Sequence, residues 1–243
     1  MTYCVAVSLD AGIVFASDSR TNAGVDYMTV SSKMHLFTPS PDRLFMLLTA
    51  GNLATSQEVV NQIKIDLDNP EARTSLRSVK YLSEAANYVG EISRRAQKEH
   101  ADALQHAGFN SEATFIMGGQ IGTQAHGIYM IYPQGNYIWA SPETPYHQIG
   151  ESKYGKPILD RVIERSLNLE DAARCTLVSI DSTMRSNMSV GPPIEVAIYH
   201  KDSLMLGQRL TLNLDSPYYE RLQKSWRQGL REAFNHLPKF DWE

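Results

Sequence analysis

The second residue of the chain, Thr2, unites two groups that hydrolysis can use once the initiator methionine is removed. Its side chain supplies a hydroxyl nucleophile, and its freed α-amine, with an ordinary pKa near about 8, supplies a base close to neutral pH. A threonine hydroxyl paired with an amino-terminal amine is an established activated nucleophile. Many proteins begin with Met-Thr, so this residue by itself indicates little.

Two charged residues follow at positions that could serve such a nucleophile. Asp18 opens the polar triplet Asp18-Ser19-Arg20 directly after a predicted strand, and Lys33 follows 15 residues later. Taken separately, the aspartate could cap a loop and the lysine could be solvated. Paired, they would hold an ammonium group beside Thr2. That charge would lower the pKa of the hydroxyl and of the amine, which favours nucleophilic attack.

Ala50-Gly51-Asn52 stands where a predicted strand passes into a predicted helix. Glycine allows a close backbone approach, and the amides at a helix N-terminus point outward as donors. Such an N–H group could stabilise the oxyanion of a tetrahedral intermediate. The alternative interpretation is a tight strand-to-helix turn with no role in chemistry.

The elements that must position these residues come in blocks. Hydrophobic alternation and turn residues predict strands at 2–9, 13–17, 34–37, 44–50, 113–118, 127–132, 137–140, 147–149, 195–200 and 203–211. Helical periodicity predicts helices at 52–67, with a capping box at 55–58, and at 79–104, 154–165 and 169–186. Strands grouped in this way argue against a doubly wound parallel sheet. We expect an α+β fold, a four-layer αββα sandwich.

The last 32 residues, 212–243, are predicted to form a helical extension after a domain of residues 1–211. Ser216-Pro217 is a suitable N-cap and first-turn pair. One face of the helix then carries Tyr219, Leu222, Trp226, Leu230 and Phe234. This face is expected to pack either on its own domain or on a neighbouring subunit.

Composition excludes several classes of function. The net charge is −4 and no segment is strongly basic, so neither nucleic acid nor an anionic membrane is an expected partner. No apolar run is long enough to span a membrane, and the N-terminus lacks the features of a signal peptide, which predicts a cytoplasmic protein.

No cofactor or metal is expected. The seven histidines are dispersed, and Cys4 and Cys175 are predicted to be buried free thiols. The chain also lacks a phosphate-binding loop motif, so ATP-driven unfolding of a substrate would require a separate partner.

Together, Thr2, Asp18-Ser19-Arg20, Lys33 and Thr49-Ala50-Gly51 have the order and approximate spacing of the same elements in proteasome β-subunits. The chain resembles that superfamily from Thr2 to about Thr211. The opening MTYCVAVSLDAGIVFASDSRTNAGVDY is more similar still to its bacterial Anbu (ancestral β-subunit) branch.

The resemblance implies an N-terminal-nucleophile hydrolase fold, threonine-dependent peptide hydrolysis and a homo-oligomeric ring or spiral. It assigns Thr2 as the nucleophile with its own amine as base through a water, Asp18 and Lys33 as the charge pair, and the Gly51 N–H as the oxyanion donor. By register it also implies a substrate pocket lined by Thr21, Ser31, His35, Thr49 and Leu53.

Two departures from the family pattern concern the site. The Gly-Ser-Gly of proteasome subunits is replaced by Gly150-Glu151-Ser152, and a carboxylate near the amine would raise the pKa of that amine unless Glu151 itself accepts a proton. In the later Asp-x-x-Ser-Gly-Gly element, Ser189 is retained but the aspartate is replaced by Ser186. Three functions stay open: a threonine peptidase, an N-terminal-nucleophile amidohydrolase acting on a special amide, and an inert assembly subunit.

Overall fold

Two five-stranded antiparallel sheets form the centre of the molecule. The computed structural model describes residues 2–22, 28–106 and 108–242. In chain order the strands are β1 (Tyr3–Leu9), β2 (Gly12–Asp18), β3 (Arg20–Asn22), β4 (Met28–Val30), β5 (Met34–Ser40), β6 (Arg43–Gly51), β7 (Ala113–Ile121), β8 (Gly127–Ile131), β9 (Tyr137–Trp139), β10 (Tyr146–Gly150), β11 (Ile194–His200) and β12 (Leu206–Leu212). The first sheet has the order β10-β1-β2-β11-β12, and the second has the order β5-β6-β7-β8-β9.

The helices cover the outer faces of the sheets. They are α1 (Leu53–Asp68), α2 (Leu82–His106), α3 (Lys156–Val162), α4 (Leu169–Ser186) and α5 (Pro217–Asn235). The first sheet packs on α4 through residues such as Val5 and Ile180, and the second packs on α1 and α2 through residues such as Leu47 and Val89. A third apolar cluster fills the space between the two sheets. The predicted four-layer αββα sandwich is therefore confirmed.

Strand β1, which begins one residue after Thr2, is buried on both faces. Residues of β1 alternate between the helix-facing core, which takes Val5 and Val7, and the core between the sheets, which takes Cys4 and Ala6. A strand buried on both faces needs a nearly continuous apolar run, as this sequence has. The prediction that both cysteines are buried and free is confirmed.

Several predicted boundaries are wrong. Helix α1 is capped by Asn52, whose side chain accepts a hydrogen bond from the Thr55 N–H at 3.2 Å, so the predicted capping box at 55–58 does not form. Thr55 lies inside the first turn, where its hydroxyl donates to the Ser111 carbonyl at 2.9 Å.

Other differences arise from local turns. The helix predicted at 154–165 is only Lys156–Val162, with its proline in the first turn. Strand β12 begins at Leu206 because the Ser203 hydroxyl bonds to nearby backbone carbonyls in a turn. The short ribbon of β3 and β4 was not predicted, since three residues per strand give no readable alternation.

Helix α5 packs on its own domain only at its start. Ser216 is its N-cap residue, although its hydroxyl accepts from the Asn213 N–H rather than from the helix. Tyr219 is fully buried and Leu222 packs partly against the same core. Further along the same face, Leu230 is 51% exposed and Phe234 is 72% exposed. Across the described ranges, no helix combines the length and the apolar character needed to cross a membrane.

Candidate functional site

Thr2 lies at the start of β1, where strand β10 passes close to it. The Glu151 N–H donates to the Thr2 carbonyl at 2.7 Å. Gly150 has a φ of 84°, and a Cβ at this position would lie 2.0 Å from the Thr2 carbonyl oxygen. Only glycine accommodates both the left-handed backbone and this close approach. Thr2 itself is 9% exposed, so its surroundings fix it firmly. Met1 lies outside the described residues.

The structure brings Asp18 and Lys33 into direct contact next to Thr2. The Lys33 ammonium donates to Asp18 Oδ1 at 2.5 Å and to the Arg20 carbonyl at 2.7 Å. The N–H of Tyr3, the residue after Thr2, donates to the same carboxylate oxygen at 2.9 Å. Asp18 is fully buried and Lys33 is 5% exposed. The pair is therefore a desolvated charge pair fixed to the strand that begins at Thr2.

Burial and neighbouring charge act on Asp18 in opposite directions. Burial raises the pKa of the Asp18 carboxyl, and the Lys33 ammonium opposes that rise. Backbone N–H donors from Tyr3 and Gly191 also favour the ionised carboxylate. A carboxylate with two N–H donors and an ammonium partner can hold a positive charge in place close to a nucleophile.

Gly51 ends strand β6, on the side of the molecule where α1 begins. Its φ is 103°, and a Cβ there would lie 2.4 Å from the Glu112 carbonyl oxygen. Thr49, two residues earlier, is buried, and its N–H donates to the Lys33 carbonyl at 3.0 Å. This bond connects the end of β6 to the Lys33 segment. Gly51 thus lies at a strand-to-helix turn that requires glycine.

Glu151 and Ser189 lie on two loops that meet beside Thr2. The Glu151 carboxylate accepts from the Lys153 N–H at 3.1 Å and from the Asn187 side-chain amide at 3.1 Å. Ser189 belongs to the second loop, and its N–H donates to the Asn187 side chain at 3.0 Å. Glu151 contacts Thr2 through its backbone, while its carboxylate links the loop to the end of α4.

Of the remaining predicted pocket residues, three lie in β3, β5 and α1, and Ser31 lies between β4 and β5. Thr21 lies in β3 with its hydroxyl buried and no partner for it among the described residues. The Ser31 N–H donates to the Ser19 carbonyl at 2.9 Å, which ties it to the Asp18 segment. His35 lies in β5, and Leu53 is the first residue of α1. No hydrogen bond within the described ranges joins the side chain of His35 to the Asp18–Lys33 pair.

Sequence reasoning missed two residues that support the site. Gly191 donates its N–H to Asp18 Oδ2 at 3.1 Å, and its carbonyl accepts from the Arg20 N–H at 3.2 Å. Backbone groups give no side-chain signal in the sequence. Glu195 is a buried carboxylate in β11, and here a signal existed, because it interrupts the otherwise apolar strand between Ile194 and Val196.

Two histidines, the buried His147 and the half-buried His35, make folding stability depend on pH. Burial lowers the pKa of His147 on β10 from 6.5 to about 4, and burial together with the Lys64 charge lowers the pKa of His35 to about 4. The unfolded chain binds protons on these residues below about pH 6.5, whereas the folded chain does not until about pH 4. The contribution of these two histidines to the free energy of unfolding is therefore complete above about pH 6.5, and it falls as the pH drops toward about 4.

We expect His147→Gln to flatten this dependence. His147 accounts for at most about 3 kcal/mol of the loss between pH 6.5 and 4. Urea unfolding at fixed protein concentration and several pH values measures it. His200→Gln, which replaces an exposed histidine, is the control and should keep the wild-type slope. A pH dependence of stability in His147→Gln equal to that of the wild type would show that the pKa of His147 does not differ between the folded and the unfolded chain.

Comparisons with known proteins agree on one group. A family model described as proteasome subunit matches residues 2–199. A proteasome subunit beta from Haloferax volcanii is 27% identical over 205 residues, which cover 84% of this chain and 75% of that protein.

Solved structures give higher similarity. Anbu (ancestral beta-subunit) from Yersinia bercovieri is 43% identical with a TM-score of 0.92, over 99% of both chains. A structure described as a helical assembly of the Anbu complex from Pseudomonas aeruginosa is 44% identical with a TM-score of 0.91, over 98% of both chains.

Proposed function

The chain belongs to the proteasome subunit family, with the Anbu proteins as its structural relatives, and on that premise we propose that it is a threonine-type N-terminal-nucleophile peptidase. The observation that carries the proposal is the buried Asp18–Lys33 pair, joined by the Tyr3 N–H to the strand that starts at Thr2. Burying an ion pair costs desolvation free energy, so a buried pair bonded to the residue after Thr2 is a candidate functional feature.

The proposed reaction begins on a chain from which Met1 has been removed. The Thr2 amine, acting through a water, takes the proton of the Thr2 hydroxyl, and the hydroxyl oxygen attacks the carbonyl carbon of the substrate amide. The Lys33 ammonium lowers the pKa of the hydroxyl and stabilises the developing negative charge. The Gly51 N–H donates to the oxyanion. The protonated Thr2 amine then returns its proton to the substrate nitrogen, the C–N bond breaks and the substrate amine leaves. Water, with the Thr2 amine again as base, hydrolyses the acyl-threonine ester, which releases the carboxylic acid product and restores the Thr2 hydroxyl.

Thr21, Ser31, His35, Thr49 and Leu53 are proposed to line the substrate pocket. Supporting this, the Thr21 hydroxyl is buried without a partner among the described residues, as expected for a group that a substrate would satisfy. The Thr49 N–H is bonded to the Lys33 carbonyl, and the Ser31 N–H is bonded to the carbonyl of Ser19, the residue after Asp18. Burial keeps His35 neutral at pH 7, since its pKa is about 4. We propose for Glu151 and Ser189 a supporting role in holding the loops beside Thr2.

Cleavage of a broad peptide library by the processed protein tests this function. Cleavage of many different peptides in the library would support a peptidase function. Hydrolysis confined to one small amide would instead favour the amidohydrolase. A chain with a free Thr2 amine that cleaves neither would indicate an inert assembly subunit.

We also propose that the chain assembles with copies of itself through the extension 212–243. The solved relative from Pseudomonas aeruginosa is described as a helical assembly. In this chain an apolar groove of about 640 Å³ lies between α3, α4 and the first half of α5, with Val162, Cys175 and Trp226 in its walls. The second half of α5 exposes Leu230 and Phe234. One copy thus carries both an apolar groove and an apolar ridge, which suits a self-complementary contact.

Leu230→Arg is expected to raise the dissociation constant of this assembly by roughly 30-fold or more. The substitution would place a charge where the proposed contact between copies buries an apolar side chain. Sedimentation velocity over a concentration series measures the change. Gln228→Arg, on the opposite face of the same helix, introduces the same charge and should assemble like the wild type. Equal behaviour of the two variants would place the self-contact elsewhere.

A further inference from the structure

The buried carboxylate of Glu195 lies beside the catalytic pair and has no part in the reaction described above. It is 7% exposed and projects from β11 toward the second sheet. Its Oε2 accepts from the Ser32 hydroxyl at 2.5 Å and from the Ser19 hydroxyl at 3.5 Å. Its Oε1 accepts from the Arg209 guanidinium at 2.7 Å. Both carboxylate oxygens are therefore engaged.

The partners of Glu195 are the immediate neighbours of the catalytic charges. Ser19 follows Asp18, and Ser32 precedes Lys33. A single carboxylate oxygen thus spans the two segments that carry the aspartate and the lysine. The Ser31 N–H bond to the Ser19 carbonyl, at 2.9 Å, joins the same two segments through the backbone.

The cost of this arrangement indicates that it serves a purpose. A buried carboxylate destabilises a fold unless ionic and hydrogen-bond partners compensate. The same face of β11 carries Ala197 and Tyr199 in the apolar core between the sheets, so an apolar residue would suit position 195 for packing alone. The short Ser32 contact is charge-assisted, which makes it a strong and directional restraint on the Lys33 segment.

We propose that Glu195 is a positioning residue that holds the Lys33 ammonium against Asp18 through Ser32 and Ser19. Its effect on Thr2 rests on the proposed function, whereas its effect on the Lys33 segment does not. Arg209 neutralises the outer oxygen of Glu195 and keeps the carboxylate in the orientation that Ser32 requires. The two effects call for separate measurements.

Amide hydrogen exchange tests the effect on the segment in the full-length protein. The Ser31 and Thr49 N–H groups report on it, because they donate to the Ser19 and Lys33 carbonyls. Glu195→Met and Ser32→Ala should raise exchange at both amides by about 10-fold or more. Ser32→Thr keeps the hydroxyl, so both amides should exchange at the wild-type rate in this variant.

Asp181→Leu is the matched control. Asp181 is also a buried carboxylate, 2% exposed and paired with a half-exposed arginine, Arg185, at 3.1 Å, but it lies on α4. The Asp181→Leu substitution should lower the melting temperature without raising amide exchange at Ser31 or Thr49. Exchange that stays at the wild-type rate in Glu195→Met, or that rises equally in Asp181→Leu, would overturn the proposal.

The effect on Thr2 is measured as the rate of adduct formation with a peptide epoxyketone on the processed protein. Glu195→Met and Ser32→Ala should lower kinact about 10–100-fold with KI unchanged, since a small displacement of a catalytic group costs that much. Ser32→Thr should recover kinact. Raised exchange with unchanged kinact would overturn a positioning role at Thr2. A wild-type Thr2 that forms no adduct would contradict the proposed function, and the exchange data alone would then decide the role of Glu195.

Discussion

Thr2→Ala is expected to lower peptide cleavage by the processed chain at least about 10³-fold, because the substitution removes the nucleophilic oxygen. The amino-terminal amine, the Asp18–Lys33 pair and the Gly51 turn all stay in place. Initial rates on a peptide that the wild type cleaves give the loss. The melting temperature should change little, because a single small side chain at the start of β1 is shortened.

Thr2→Ser provides the matched control for that variant. Serine keeps the hydroxyl on an amino-terminal residue, so we expect it to retain a measurable part of the activity. Cleavage by Thr2→Ala at the wild-type rate would place the nucleophile elsewhere or reveal a contaminating protease. Equal loss in both variants would indicate that the methyl group of threonine, rather than the hydroxyl alone, is needed for positioning.

Lys33→Met is expected to have the second largest effect, on activity and stability together. The loss of the ammonium should lower kcat/KM about 10²–10⁴-fold, the usual range for a group that assists proton transfer. It should also cost about 3–5 kcal/mol of folding free energy, because Asp18 would be left buried without its cation. Peptide hydrolysis and urea unfolding measure the two effects.

The double variant Asp18→Asn/Lys33→Met separates those effects. With both charges removed, no uncompensated buried ion remains, so part of the lost stability should return. Activity should stay low, because the ammonium beside Thr2 is still absent. Recovery of activity along with stability would show that the pair serves the fold only.

The fold could be predicted from the sequence because its elements depend on local patterns. Blocks of alternating strands and periodic helices fix the layer order, and the apolar run of β2 ends at Asp18, which places this residue at the end of a buried strand. The contact between Asp18 and Lys33 followed only from the family resemblance, since nothing in a spacing of 15 residues dictates that two side chains meet.

Other features depended on tertiary contacts and could not be predicted. The Glu151 carboxylate accepts from the Asn187 side chain, 36 residues away, which becomes its neighbour only when α4 ends beside β10. Asn52 replaces the predicted cap of α1 because Thr55 is drawn into a bond with Ser111, 56 residues away. Glu195 reaches Ser32 across 163 residues of sequence.

Identification of the modified residue after treatment with a peptide epoxyketone tests the nucleophile most directly. Intact mass first establishes that Met1 is absent, and peptide sequencing then locates the adduct. The proposed mechanism predicts one adduct per chain, of the full reagent mass, on Thr2, because both the hydroxyl and the amine of that residue take part in the reaction with the reagent. A chain that begins at Thr2 with a free amine and yet carries no adduct, or carries it on another residue, would contradict the assignment of Thr2 as the nucleophile.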